Sequence, residues 1–521
     1  MGRADVGDGT YRNPVLSADW SDPDVVRVGA DYFMVASSFN RVPGLPVLHS
    51  TDLVNWDLVG HALPRLQPEP VFATPQLGAG VWAPAIRHHQ GRFWIFYPDP
   101  DRGIFVTSAE HPAGRWTDPQ PVLTGRGLID PCPLWDADGQ AYLIHAWARS
   151  RSGFNNRLSA YRMAPDASAV LDAGAVVVDG DAITGCRTLE GPKWYRRDGW
   201  YWIFAPAGGV ATGWQYALRS RDILGPYQHR TVLAQGESPV NGPHQGAWVT
   251  AEDGEDWFLH FQDRGAYGRV VHLQPMAWRD DGWPVIGRDD GSGCGTPVLR
   301  RTKPRSSKPA ALRAPSTSDD FVDGKPGRQW TWPANPDRDW CGPPEGGKGL
   351  ALACVPGGDD LRRVPNVLGQ RLPAEEFVAT VGMNLTSAVV GARAGLTILG
   401  RTYAWVGLER TATGMTVVHR TAAVGAPEED AATPIPIPAR ARVQLSVTVS
   451  AGAVATFAVA VEGAGAHRVG APFVATPGHW IGATLGLFAL VPETGWDRNH
   501  AGTATFDSVT VTSPQPSILE N

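Results

Sequence analysis

The sequence predicts an all-β protein: a five-bladed β-propeller followed by a jelly-roll β-sandwich. Three observations carry that expectation. A strand–turn–strand sentence is written five times before residue 300. The chain sustains no 3.6-residue apolar period over a helix length, and its 60 glycines and 45 prolines suit turn-rich β structure. After residue 318, Arg442-Val443-Gln444-Leu445-Ser446-Val447-Thr448-Val449 and Thr456-Phe457-Ala458-Val459-Ala460-Val461 alternate strictly, as strands with one buried face do.

The repeats come in order. Asp22-Pro23-Asp24-Val25 runs through Gly29 to Tyr32-Phe33-Met34-Val35, and Trp82-Ala83-Pro84-Ala85 through Gly91 to Phe93-Trp94-Ile95-Phe96. Asp130-Pro131-Cys132-Pro133 runs through Asp138-Gly139 to Tyr142-Leu143-Ile144. Glu190-Gly191-Pro192-Lys193-Trp194-Tyr195 passes Asp198-Gly199, a hairpin signal because both residues tolerate positive φ, into Trp200-Tyr201-Trp202-Ile203-Phe204. His244-Gln245-Gly246-Ala247-Trp248 passes Asp253-Gly254 into Trp257-Phe258-Leu259. A spacing of about 55 residues is at the long end for propeller blades, sheets that must stack to bury their faces. The segment around Val15-Leu16 either completes the last sheet or leaves the ring to close without it.

Residues 1–300 are therefore read as the propeller, 301–318 as a polar, proline-rich linker and 319–521 as the sandwich. Fifteen of the 21 tryptophans precede the linker, so stacking surface for a ligand is expected mainly in the first domain. A net charge of −6 with scattered basic residues argues against nucleic acid as a partner, and no apolar run is long enough to span a membrane. Met1 to Asp8 lacks the apolar core of a signal peptide; the expectation is a cytoplasmic protein, or a secreted one with its leader removed. The five cysteines lack metal-ligand spacing and read as reduced thiols, with Cys341 and Cys354 as a conceivable pair. Oligomeric state is not legible.

The repeat heads matter most. Each head precedes Pro or Gly, and three of the five are carboxylates: Asp22, Asp130 and Glu190. A structural repeat needs no carboxylate there. Glycoside hydrolysis does: one carboxyl protonated to assist the leaving group, one ionised to activate water, and a third able to keep the acid protonated by like-charge repulsion. Activity, non-catalytic carbohydrate binding and a propeller scaffold for protein partners are thus the three readings; the complete trio favours activity, and the axial tryptophan and carboxylates count against the scaffold.

Asn13-Pro14-Val15-Leu16 before Asp22-Pro23-Asp24, the Trp82-Ala83-Pro84 box, Ile129-Asp130-Pro131 and Glu190-Gly191-Pro192 resemble glycoside hydrolase family 43. Ser37-Ser38-Phe39, Pro43 to Pro46 and Asp52-Leu53-Val54-Asn55-Trp56 are similar to its β-xylosidase and α-L-arabinofuranosidase branch. So are Asp319-Asp320-Phe321, Trp330 to Pro336 and Tyr403-Ala404-Trp405, which match that branch's concanavalin-like sandwich. The resemblance implies an inverting exo-hydrolase of terminal β-D-xylose or α-L-arabinofuranose, acting on oligosaccharides. It implies Asp22 as general base, with Asp24 and Asp19 as competitors, Glu190 as general acid, and Asp130 as the residue that raises and orients that acid. Trp82, Phe39, Arg269 and His244 match sugar-pocket positions, although blade core is an equal reading of Phe39. No cofactor is implied for the chemistry; a hydrated Ca²⁺ near His244 is an open expectation from relatives. Three positions depart from the family: Gln245 is inserted between His244 and Gly246, Cys132 lies between two prolines, and Lys193 stands where His often follows Glu-Gly-Pro.

The branch acts on chain ends, so something must wall off the funnel. A sandwich loop is expected there, with Cys341 to Gly347 and Arg362 to Asn366 as candidates. The alternative is a separate module on a flexible tether.

Overall fold

The structure, a computed structural model, describes residues 3–308, 312–345, 347–439, 441–463, 465–494, 497 and 501–514. Met1 and Gly2 of the N-terminal segment and Gly346 of one candidate loop lie outside these. Five four-stranded antiparallel sheets, each a meander of consecutive strands, form the ring. Blade 1 runs from Asp24–Val28 to Asp57–Leu63 and blade 2 from Ala85–His89 to Gln120–Thr124. Blade 3 runs from Leu128–Trp135 to Ala175–Asp179, blade 4 from Lys193–Arg197 to Gln228–Leu233, and blade 5 from His244–Thr250 to Pro284–Ile286. First strands of neighbouring blades touch around most of the ring, which puts them at the axis.

Local chemistry dictates the pieces. Asp198 and Gly199 both take positive φ, and Arg197 pairs with Trp200 across a two-residue turn. Blades then adhere through large apolar faces: Trp202, Phe204, Trp248, Phe258 and Trp283 are buried together between blades 4 and 5. Each such side chain contributes about 1.5–3 kcal/mol on burial. Among the described residues the one α-helix is Arg149–Ser152.

The ring closes without the N-terminal segment. Blade 5 is complete from its own four strands, Leu16 makes only an isolated bridge to Val271, and Thr10–Arg12 pairs with Arg300–Thr302 in a sheet of two. Among the described residues the segment 303–318 has no strand or helix, yet it is fastened to the propeller: Lys303 pairs with Asp5, Lys308 with Asp31 and Arg313 with Asp57.

A seven-stranded and an eight-stranded sheet face each other after residue 340. Val443–Ser450 alternates buried and open positions as its sequence predicts. Cys341 and Cys354 do not bridge; all five cysteines are free. Cys341 is paired with Leu352 across a short hairpin, while Cys354 turns into the sandwich core.

The sandwich is not loosely tethered. Trp332 exchanges both backbone hydrogen bonds with Val42 of blade 1, at 2.7 and 2.9 Å. The Asn335 side chain accepts from Leu66 N at 2.8 Å and donates to Leu66 O at 2.9 Å. Ala453 N donates to the hydroxyl of Tyr267, at 2.7 Å, and Arg371 stacks on Trp20.

Candidate active site

A cavity of about 100 Å³ opens at the axial heads of the blades, lined by Asp22, Phe39, Trp82, Asp130, Glu190, His244 and Arg269. Every site residue expected from the sequence is thus gathered around one small space. A larger cavity of about 490 Å³ lies between propeller, linker and sandwich, but it holds none of the three carboxylates.

Backbone conformation explains why the heads point inward. Asp22 (φ 57°), Asp130 (φ 56°), Gly191 (φ 58°) and Gln245 (φ 34°) all take the left-handed region at the blade heads. The register slips there as well, between Ile129 and Cys132 in blade 3 and between His244 and Gly246 in blade 5. Such bulges re-aim a side chain, and strained backbone is a familiar cost of functional sites. The series corrects one expectation. Asp22 and Asp130 are ring equivalents, but their counterpart in blade 4 is Gly191. Glu190 stands one residue earlier.

That offset has a steric reason. A Cβ at position 191 would come within 2.5 Å of the Gln245 side chain and 3.0 Å of Pro206, and φ is positive, so only glycine fits. Gly191 N then donates to Asp130 Oδ2 at 2.8 Å, tying the Glu190 loop to its neighbour.

The three carboxylates have different surroundings. Asp22 is buried; Arg269 Nη1 lies 3.0 and 3.2 Å from its two oxygens, and Ser37 Oγ donates to Oδ2 at 2.5 Å. Asp130 is buried too, and burial pushes its carboxyl up to about 8, helped by the charges of Glu190 and Asp22. Glu190 is the more open group, with a side chain 23% exposed and His244 Nε2 2.8 Å from Oε1. Asp24 and Asp19, the competitors for the base, are engaged elsewhere. Asp24 pairs with Arg87 at 2.7 Å and accepts from Ile86 N, deeper in the channel. Asp19 accepts from Arg269 N and from Gly482 N of the sandwich.

The sequence reading missed one wall. Trp480, from the sandwich, lines the cavity and meets Trp82 edge-on at 5.8 Å between centroids. The loop is Pro477 to Gly482, and no described residue of either expected candidate lines the cavity. Trp480 takes φ 67° and stays 44% exposed, a wall with one face free. Its anchor is close backbone approach. Gly482 N reaches Asp19 Oδ2 at 2.9 Å and Ala483 N reaches Ala266 O at 2.7 Å, while a Cβ on Gly482 would collide with Gly268 N at 2.7 Å. The only sequence signal was an aromatic after Pro477-Gly478, outside every repeat. Ser37 was read as part of a family stretch, with no role attached.

With this geometry in hand, comparison with known proteins is specific. Residues 11–284 match the profile of glycosyl hydrolases family 43, and residues 318–512 that of the beta xylosidase C-terminal concanavalin A-like domain. A Xylanibacter ruminicola protein named, provisionally, as a beta-xylosidase is 42% identical over 409 residues, which is 78% of this chain and 74% of that protein. A non-reducing end alpha-L-arabinofuranosidase of Bacteroides ovatus is 29% identical over 418 residues, 76% of this chain and 75% of the other. In fold, the chain superposes on a xylan beta-1,4-xylosidase from Bacillus halodurans with a TM-score of 0.84 at 22% identity, covering 96% of this chain and all of that one.

Proposed function

The chain belongs to glycosyl hydrolases family 43, and from that premise we propose that it is an inverting exo-glycosidase releasing terminal pentose, β-D-xylose or α-L-arabinofuranose, from short oligosaccharides. The observation that carries the reading is the trio of carboxyls in unlike surroundings around a cavity sized for one small ring. Non-catalytic binding would not require them to differ.

In this mechanism Asp22, oriented by Arg269 and Ser37, is the base that takes a proton from the attacking water. The Asp130–Glu190 pair retains a proton at neutral pH because Asp130 is buried beside other carboxylates. Glu190, held by His244 and reaching into the open part of the cavity, passes that proton to the leaving oxygen. The transition state is oxocarbenium-like, and water enters from the face opposite the acid. Trp480 and Trp82 close the side that an extended chain would need, which supports action on chain ends.

Calcium is not part of this account. Ca²⁺ takes six to eight oxygen ligands, whereas the donors at His244 are one carboxylate oxygen and a buried Nδ1 without a partner. Those donors do not fit a directly ligated ion.

A panel of aryl pentosides with proton NMR of the first-formed sugar tests the proposal. The expected result is release of xylose or arabinose with inverted anomeric configuration. Retention in the initial product, or no turnover of any pentoside, would overturn it.

A further inference from the structure

Behind the cavity lining, within electrostatic reach of Asp130, lies a charge that no step above uses. Lys193 is 1% exposed, and a lysine is almost never fully buried unless something compensates it. Its strand is the first of blade 4, yet its Nζ donates to the carbonyl of Pro84 at the head of blade 2, at 2.7 Å. Blade 3 lies between those two around the ring, so the side chain must cross the axis in front of blade 3.

Two contacts fix the level of that crossing. Gly191 N donates to Asp130 Oδ2 at 2.8 Å and Trp194 N donates to Cys132 Sγ at 3.1 Å. Lys193 leaves its strand between them, beside Asp130-Pro131-Cys132. Further down, Arg87 pairs with Asp24 at 2.7 Å and also donates to Cys132, so that layer balances its own charge. The hydrogen bond of Lys193 goes to a neutral carbonyl. Lys193 lies within electrostatic reach of Asp130 and Cys132, and of these two Asp130 is the carboxylate.

We propose that Lys193 is a positioning residue for this reaction: a cation buried behind the cavity lining that counterbalances the carboxylate trio. Asp130 is faced by Glu190 and Lys193 from blade 4 and by Asp22 from blade 1. Arg269 and His244 of blade 5 engage Asp22 and Glu190, and Arg87 of blade 2 and Asp24 of blade 1 lie in the layer beneath. With one proton on the Asp130–Glu190 pair, two carboxylate charges meet two cations, Arg269 and Lys193. The site is close to neutral without any added ion. Lys193 opposes the rise of the Asp130 carboxyl, so removing its charge raises that group further.

The kinetic part of this inference rests on the hydrolase reading, so the test has an arm that does not. Lys193→Gln keeps a donor for the Pro84 carbonyl and removes the charge; Lys193→Met removes both. In each, the alkaline limb of kcat/KM is expected to move up by about one pH unit. The infrared band of the buried protonated carboxyl, assigned by its loss in Asp130→Asn, should persist to correspondingly higher pH. A tie acting only through its hydrogen bond predicts a wild-type limb and band in Lys193→Gln, and that result overturns the proposal. A wild type inactive on pentosides defeats the hydrolase reading, while the infrared titration still judges Lys193. If neither variant folds, the ¹⁵Nζ resonance of Lys193 in the wild type decides: a neutral amine at pH 7 overturns the proposal and an ammonium supports it.

Discussion

The roles proposed for Glu190 and Asp22 are separable by how each depends on the leaving group. Glu190→Gln should nearly abolish hydrolysis of natural oligosaccharides, yet cost far less with an activated aryl pentoside that departs without a proton. Asp22→Asn should damage both substrates alike, because water is still needed in each; steady-state rates on the two substrate classes check the pair. Asp130 invites a stability measurement. Its carboxyl is raised to about 8 in the fold but is ordinary in the unfolded chain, so the wild type bears a growing penalty as pH rises from about 4 to about 8. Asp130→Asn should therefore raise Tm at pH 7 and leave it nearly unchanged at pH 4, while abolishing most activity. Equal Tm differences at both pH values would argue against a buried neutral carboxyl. These residues were legible because they sit at repeat heads, where alignment within one chain substitutes for comparison between chains. Lys193 was legible only as a departure from the family pattern. Its burial across the axis depends on blades 2 and 4 facing each other, which no local spacing reveals.

The blade-head turn and the sandwich loop are the two elements that shape the site. Gly191→Ala places a methyl against Gln245 and Pro206 at a positive φ, and should cost about 1–3 kcal/mol of stability. It should also displace Glu190, so kcat falls by more than KM changes, which steady-state kinetics with a Tm control would establish. The loop makes a different prediction. Trp480→Ala removes a wall but no catalytic group, so kcat on an aryl pentoside should persist while KM rises several-fold. Longer substrates should gain ground relative to short ones, a ratio that product analysis by chromatography reads directly. The repeats forecast the five sheets because each is a local meander with its turn chemistry written in Asp-Gly pairs. They could not forecast the loop, whose position depends on Gly482 docking against residues more than 200 positions earlier in the chain.

At the scale of the whole molecule the two domains act as one body. The paired backbone hydrogen bonds between Val42 and Trp332, the Asn335 side chain on Leu66 and the Tyr267 hydroxyl under Ala453 bury polar groups that would be left unpaired by separation. A chain ending near Arg301 should therefore be insoluble, or folded with crippled turnover of even the smallest pentoside; sedimentation and an aryl-pentoside assay distinguish the two. A soluble truncation with full activity would mean that the propeller pocket is complete by itself. The docked arrangement also has a consequence in time. The last propeller residue lining the cavity is Arg269, and the wall that completes it is Trp480. Strands Thr484–Val491 and Thr503–Thr512 lie in the interiors of the two sandwich sheets, so that wall cannot be seated until nearly all of the chain described here has been synthesised. At about 5–20 residues per second, the ribosome takes roughly 10–40 s to travel from the finished ring to the finished pocket. For that interval the nascent chain carries a full set of carboxylates around a funnel with one side still open.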